Sequence, residues 1–350
     1  MGTTGAYIAA IDYALPARQV GNSELAALHP DWQMSQVVLQ TGVESRYWCD
    51  ASETALDLAE AACRRLFARL DGSSSRIDAI LFCTESPDHI MPPNACLLQH
   101  RLHLARNIAA LDFSLACSGF VYGLYLAGAL VRSGAARHVL LVTAETYSKW
   151  MHRDDRGPMT IFGDGAAATL VSAGEEGIGD CQMATDGGGG ACLMVPAGGA
   201  RLPRSPQTAE PIVGPNGNVR SAENFVMNGA AVLDFVKKEI PLLVRNLLER
   251  ASLSLKDIDL VLFHQASRVT LDHLHRVLNI PTHKQYCNLA RVGNLVSASI
   301  PVALRDAELA GVLQPGMRVM LVGFGVGLSW GGCIVNWDGR QRPIRDSPGV

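Results

Sequence analysis

This sequence predicts an α/β fold built from two copies of one α/β unit, and three pairs of matching segments predict it. The stretch "IDAILFCTESP" beginning at Ile77 returns as "IDLVLFHQAS" beginning at Ile258. "GAARHVLLVTAET" near Gly134 is answered by "QPGMRVMLVGFG" near Gln314, and "FGDGAAATLVSAG" by "GVGLSWGGCIVNWDG". For the first two pairs the offset stays close to 181 residues (258 − 77), too steady for a chance likeness of isolated strands.

Each member of the first pair is an acidic turn feeding four apolar residues and then polar ones. That pattern describes a buried parallel strand ending at a loop that can carry a site. "TALDLAEAACRRLFARL" and "AAVLDFVKKEIPLLVRNLLERA" precede the two strands and read as helices. The expected architecture is therefore two mixed sheets covered by helices. Its first half spans residues 1–172 and its second 173–336, with a short tail at 337–350.

Composition excludes several classes. The 350 residues are 48% apolar and 18% charged, which suits a buried globular core and not a disordered chain. A net charge of −3 without a basic run leaves no footprint for nucleic acid. The N-terminal "MGTTGAYIAAIDYALPARQV" lacks a basic region ahead of a long apolar stretch and reads as a first strand. Its sixth residue is Ala where a myristoylation signal needs Ser or Thr. No run of eighteen apolar residues suggests a membrane span. Nine cysteines, none in a C-x-x-C pair, read as reduced thiols of a cytoplasmic protein without a disulfide frame or metal site. His273 and His275 lie two apart, point to different sides of a helix and read as surface residues.

Four segments carry chemistry. In "SLACSGF", Cys117 stands where an apolar strand passes into an apolar helix. It is either a small core residue or a nucleophile whose thiolate is favoured by the positive helix end. A helix start can lower a thiol pKa to roughly 3.5–7.5. In "FHQAS", His264 ends a strand, as a structural histidine or a site one. In "RVGNLVSAS", Asn294 follows Gly293 in a turn opening a helix, as an N-cap or an amide donor. The duplication brings Cys117 near Asn294, because Cys117 corresponds to about Ser297 in the second half. The glycine-dense "VGFGVGLSWGG" is followed by a strand, not a helix, which excludes a nucleotide-binding loop. A turn between strands can instead aim a backbone N–H at an oxyanion.

These residues resemble the thiolase-fold condensing enzymes, specifically β-ketoacyl carrier-protein synthase III. The likeness runs from about Ala6 to Val335 through "ACSGF", "DRGPMTIFGDGAAATLV", "FHQAS", "RVGNLVSASIPVAL" and "GFGVGLSWGG" in order. It implies a thiolase-like, five-layered αβαβα fold with pseudo-two-fold symmetry. It implies Cys117 as the acylated nucleophile, with His264 and Asn294 binding the extender thioester. The turn of Gly325, Val326 and Gly327, after Phe324, would supply an oxyanion donor. The implied reaction is decarboxylative condensation of an acyl thioester with a malonyl thioester, the family's malonyl carrier protein. The substrates ride on coenzyme A or an acyl carrier protein, with no permanently bound cofactor and no metal.

Arg156 matches a position lining the coenzyme A channel, and can alternatively be a structural turn arginine. Met91 matches a residue that walls the acyl pocket of the partner in a symmetric homodimer. Other positions depart from the family. Gln36 and Gln40 replace a Trp and an Arg of the coenzyme-binding stretch. Ser267 ends "HQAS" where the family has Asn, the following Arg is displaced to Arg268, and Val326 replaces the middle glycine of the turn. An intact Cys, His and Asn beside altered carrier contacts points to a specialised donor or acceptor, such as one in secondary metabolism. The alternative within the fold is transfer of the acyl group to a hydroxyl, amine or other non-malonyl acceptor. A non-catalytic partner subunit would have no reason to keep the three residues.

Overall fold

A computed structural model describes residues 5–70, 76–175, 177–214 and 217–339 of the chain. The opening Met-Gly segment up to residue 4, and the tail beyond residue 339, lie outside the described residues.

The first sheet is built from β1 (Gly5–Ala14), β2 (Ala79–Cys83), β3 (Ala109–Phe113), β4 (His138–Glu145) and β5 (Gly165–Gly174). Its spatial order is β1-β5-β4-β2-β3. The second sheet uses β6 (Ile178–Thr185), β7 (Leu260–Phe263), β8 (Arg318–Gly325) and β9 (Ser329–Asn336), in the order β7-β8-β9-β6. The expected repeat is visible in the register. β2 runs parallel to β4 with Leu81 opposite Leu141, and β7 runs parallel to β8 with Leu262 opposite Leu321. The halves are unequal at one edge, where the second sheet has only a parallel bridge, Val261 to Gln285, in the place of β3.

The central strands are apolar on both faces because helices cover both. Every residue of β2 and β4 is buried. Helix α2 (Ala55–Arg69) packs Leu56, Leu66 and Phe67 on the outer face of the first sheet, against Ile80 and Leu140. It starts in a capping box in which the Thr54 hydroxyl accepts from the Asp57 N–H while Asp57 accepts from the Thr54 N–H. Helices α3 (Gly119–Arg132) and α7 (Ser299–Leu309) lie between the sheets, where Phe120, Leu124, Ile300 and Leu304 meet Leu81, Leu141, Leu262 and Leu321. On the far face, α5 (Gly229–Arg250) and α6 (Arg268–Val277) set Val244, Leu247, Leu271 and Leu274 against Val261, Phe263 and Val322. The result is five layers, α/β/α/β/α.

Both histidines of α6 differ from their surface reading. His273 and His275 are half-buried, and the His275 ring lies 5.5 Å from Phe263. Leu271 and Leu274 face the core from this helix, which also packs against α5, and positions 273 and 275 fall on the margins of that buried stripe. Among the described residues, no helix is long and apolar enough to cross a membrane.

Candidate active site

The Cys117 segment is shaped by one glycine. Cys117 and Ser118 precede α3, and Gly119 opens it. A Cβ at Gly119 would lie 2.3 Å from the Cys83 sulfur, so only glycine lets the helix start against β2. Cys117 is 8% exposed at the helix entrance. The terminal turn closes over it, since a Cβ at Gly325 would sit 2.7 Å from Cys117 Cβ and 3.0 Å from its Sγ. Ser329 donates to the Val326 carbonyl at 2.6 Å, which leaves the Ser118 hydroxyl to donate to Ser329, also at 2.6 Å. This relay ties the Cys117 loop to the Gly325–Gly327 turn. The strand β9 that follows agrees with the exclusion of a nucleotide loop.

His264 and Asn294 come from the second half. The His264 backbone N–H donates to Val322 O at 2.8 Å, and its ring stands edge-on to Phe324, 5.6 Å between centroids. The ring is buried, which drives its pKa down to about 3 and keeps the imidazole neutral. Its Nδ1 is buried with no hydrogen-bond partner among the described residues. Asn294 is pinned by its backbone, the N–H donating to Ile161 O at 2.9 Å and the C=O accepting from Gly163 N–H at 3.0 Å. Its Oδ1 accepts from Val296 N–H at 2.8 Å and from the Ser299 hydroxyl at 3.4 Å. Leu295, not Asn294, is the N-cap of the short turn Val296–Ala298. The Asn294 side-chain oxygen accepts from the first N–H of that turn, and that leaves the NH₂ to donate elsewhere.

The expected depression of the Cys117 thiol is overturned. Burial raises its pKa well above the ordinary thiol range, and the charges of Glu85 and Glu145 push the same way. Its own backbone N–H opposes them. A helix end contributes only about 0.3–1 kcal/mol in ordinary settings, less than burial of a thiolate among carboxylates costs.

Glu85 and Glu145 are site residues the sequence reading missed. Glu145 ends β4 and accepts from the Glu85 N–H (3.1 Å), the Ser86 hydroxyl (2.9 Å) and the Ser297 hydroxyl (2.7 Å). Burial and the charge of Glu85 raise it to about 8. Glu85 accepts from the Tyr147 hydroxyl at 2.9 Å, and burial raises its pKa as well. The signal was present in "LFCTE" and "LLVTAE", two adjacent parallel strands that each run through apolar residues into a glutamate.

The channel residues are dispersed. Arg156 opens α4 (Arg156–Ile161) and is half-buried. Gln36 and Gln40 are exposed on α1 (Met34–Thr41), and Arg268 is exposed at the start of α6 beside Gly42. Ser267, in the place of the family's Asn, caps α6 by accepting from the Thr270 N–H. Met91 is 79% exposed and is not among the residues that pack with Cys117.

Known proteins resemble this chain along most of its length. Residues 111–187 match the 3-oxoacyl-(acyl-carrier-protein) synthase III family, and residues 248–337 match its C-terminal part. A β-ketoacyl-(acyl-carrier-protein) synthase III of Clostridioides difficile is 38% identical over 299 residues, covering 85% of this chain and 88% of that one. A crystal structure of a 3-oxoacyl-(acyl-carrier-protein) synthase III superposes with a TM-score of 0.93 at 44% identity, covering 95% of this chain and 100% of the other. The priming β-ketosynthase of a polyketide biosynthetic pathway superposes with a TM-score of 0.83 at 29% identity, covering 96% and 97%. On this evidence the chain belongs to the 3-oxoacyl-(acyl-carrier-protein) synthase III family of thiolase-fold condensing acyltransferases.

Proposed function

We propose that Cys117 carries the acyl group while His264 and Asn294 hold the extender. Cys117 Sγ attacks the carbonyl of an acyl thioester, its proton leaves with the departing thiol, and backbone N–H groups of Cys117 and the Gly325–Gly327 turn meet the oxyanion. A malonyl thioester then loses carbon dioxide. The electrons of the broken bond pass to an enolate whose oxygen accepts from the His264 ring and the Asn294 NH₂. The enolate carbon attacks the acyl carbonyl, and Cys117 leaves as thiolate.

The observation that carries this reading is the fixing of Asn294 Oδ1 by Val296 and Ser299. A neutral amide with its oxygen already engaged can only donate from its nitrogen. His264, kept neutral by burial, is matched to the same task.

The donor is an acyl-coenzyme A or acyl carrier protein, and the extender a malonyl carrier protein. Gln36 and Gln40 offer no stacking face or guanidinium fork, which supports a weak hold on the adenosine part of coenzyme A. The functional unit is a homodimer. β3 is the outer strand of its sheet, Leu111 on it is 44% exposed, and the loop that follows β2 presents Ile90 and Met91. Pairing two such edges about a two-fold axis covers both, and Met91 then reaches the partner's acyl pocket. Nine free cysteines suit the cytoplasm.

The test is carbon dioxide release from a malonyl thioester by enzyme already acylated at Cys117. Asn294→Ala should leave acylation nearly unchanged and slow release by about 10²–10³. Wild-type protein that releases none, yet passes its acyl group to an alcohol or amine, would replace condensation with plain acyl transfer.

A further inference from the structure

Two of the nine free cysteines face each other across a pair of strands. Cys181 of β6 stands directly opposite Cys333 of β9 in the antiparallel register, and their sulfurs lie 2.7 Å apart. Opposed residues of an antiparallel pair have Cα atoms about 4.5–5.5 Å apart, inside the roughly 4.4–6.8 Å range of disulfides. The register shifts between Cys333 and Val335, so the ladder is already irregular beside the pair. Cys333 is fully buried, whereas Cys181 is part-exposed on the outer strand of the second sheet. That edge is not the β3 edge on which the homodimer is proposed. Among the described residues no other two cysteine sulfurs are in contact, and the exposed Cys96 and Cys287 have no thiol beside them.

We propose that Cys181 and Cys333 are an oxidative modification site, a dithiol that a peroxide closes reversibly into a cross-strand disulfide stapling β6 to β9. The part-exposed sulfur meets the oxidant first. Cys181 Sγ attacks one peroxide oxygen, the O–O bond breaks, and the second oxygen leaves as water with the Cys181 proton. The sulfenic acid so formed lies against Cys333. Cys333 Sγ attacks the Cys181 sulfur, the S–O bond breaks, and the hydroxide leaves as a second water with the Cys333 proton. Two thiols are oxidised, one peroxide is reduced to two waters, and one S–S bond forms. Cys333 keeps its proton at neutral pH, through its hydrogen bond with Cys181 and its burial, so proton transfer to the leaving hydroxide accompanies its attack. The resolving thiol is already in contact, which favours the disulfide over further oxidation of Cys181. In a reducing compartment the pair rests as two thiols, and a dithiol reductant returns it to that state by exchange.

The experiment treats the full chain with stoichiometric hydrogen peroxide and reads intact mass, thiol titre under denaturing conditions and unreduced peptide maps. Wild-type protein should lose about 2 Da, the mass of two hydrogens. Its thiols should fall from nine to seven (9 − 2), with one Cys181–Cys333 cross-linked peptide. Dithiothreitol should restore all nine. Cys181→Ser should lose the cross-link, and Cys333→Ala should instead accumulate a dimedone-reactive sulfenic acid at Cys181. The bond closes 152 residues of unfolded chain, so oxidised wild type should unfold at higher urea than the reduced form. That difference should vanish in both variants. The wild-type peptide map decides the assignment even where a variant fails to fold. A cross-link between other cysteines, sulfinic acid at Cys181 without a cross-link, or both thiols intact while added glutathione is oxidised would overturn the site. A urea midpoint that stays or falls on oxidation would overturn the staple.

Discussion

The Ser297 hydroxyl donates a 2.7 Å hydrogen bond to Glu145 Oε1, and the two residues belong to opposite halves of the molecule. Ser297 sits in the turn whose first N–H donates to Asn294 Oδ1, while Glu145 ends the central strand of the first sheet and holds the backbone of Glu85. One buried contact therefore connects the Asn294 turn of the second half to the Glu85 backbone of the first.

Removing that contact should be felt in both halves. Ser297→Ala leaves a buried acceptor short of one donor, a loss of about 1–3 kcal/mol. Urea denaturation should show a lower midpoint with an unchanged slope. A midpoint equal to that of wild type would mean that the hydroxyl contributes nothing net.

Gly325 tests how closely the terminal turn clasps the nucleophile. An alanine there would bring its Cβ to 2.7 Å from Cys117 Cβ, a separation that neither backbone can hold. Gly325→Ala should slow acylation of Cys117 at least as strongly as loss of one oxyanion donor, about 10²–10³. The circular dichroism spectrum should stay native. Acylation at the wild-type rate would show that the turn lies elsewhere.

The buried carboxylate and imidazole set opposite pH dependences. Glu145 titrates near 8 in the fold against an ordinary 4.5, so the folded protein holds a proton the unfolded chain releases. Its contribution is complete below 4.5 and is lost as pH rises towards 8. His264 falls to about 3 from 6.5, so its contribution is present above 6.5 and is lost as pH falls. Between 6.5 and 8 only Glu145 of this pair acts, and stability should fall by up to about 1.4 kcal/mol per pH unit. Glu145→Gln, which imitates the protonated acid, should flatten the decline in Tm across that window. A wild-type Tm that rises from pH 6.5 to 8 would contradict the assignment.

The thiol illustrates how far local reasoning reaches. A helix start next to Cys117 is readable from "ACSGF", because a run of apolar and small residues at helical spacing follows it. The electrostatics there were not readable. Glu85 and Glu145 lie 32 residues before and 28 after Cys117 (117 − 85; 145 − 117), and only parallel pairing of β2 with β4 sets their charges behind it.

By itself the sequence determined the duplicated layers, because buried strands must be apolar on both faces and each half repeats the same runs. It also singled out Cys117, His264, Asn294 and the Gly325–Gly327 turn as candidates, since each stands where an apolar run ends and a polar group begins. Tertiary structure alone decided their state. Burial, not the helix end, governs the Cys117 thiol and keeps His264 neutral, and burial depends on what packs from distant segments. The pairing of Glu85 with Tyr147, 62 residues apart, likewise comes from the sheet, which brings the ends of two parallel strands to one wall beside the nucleophile.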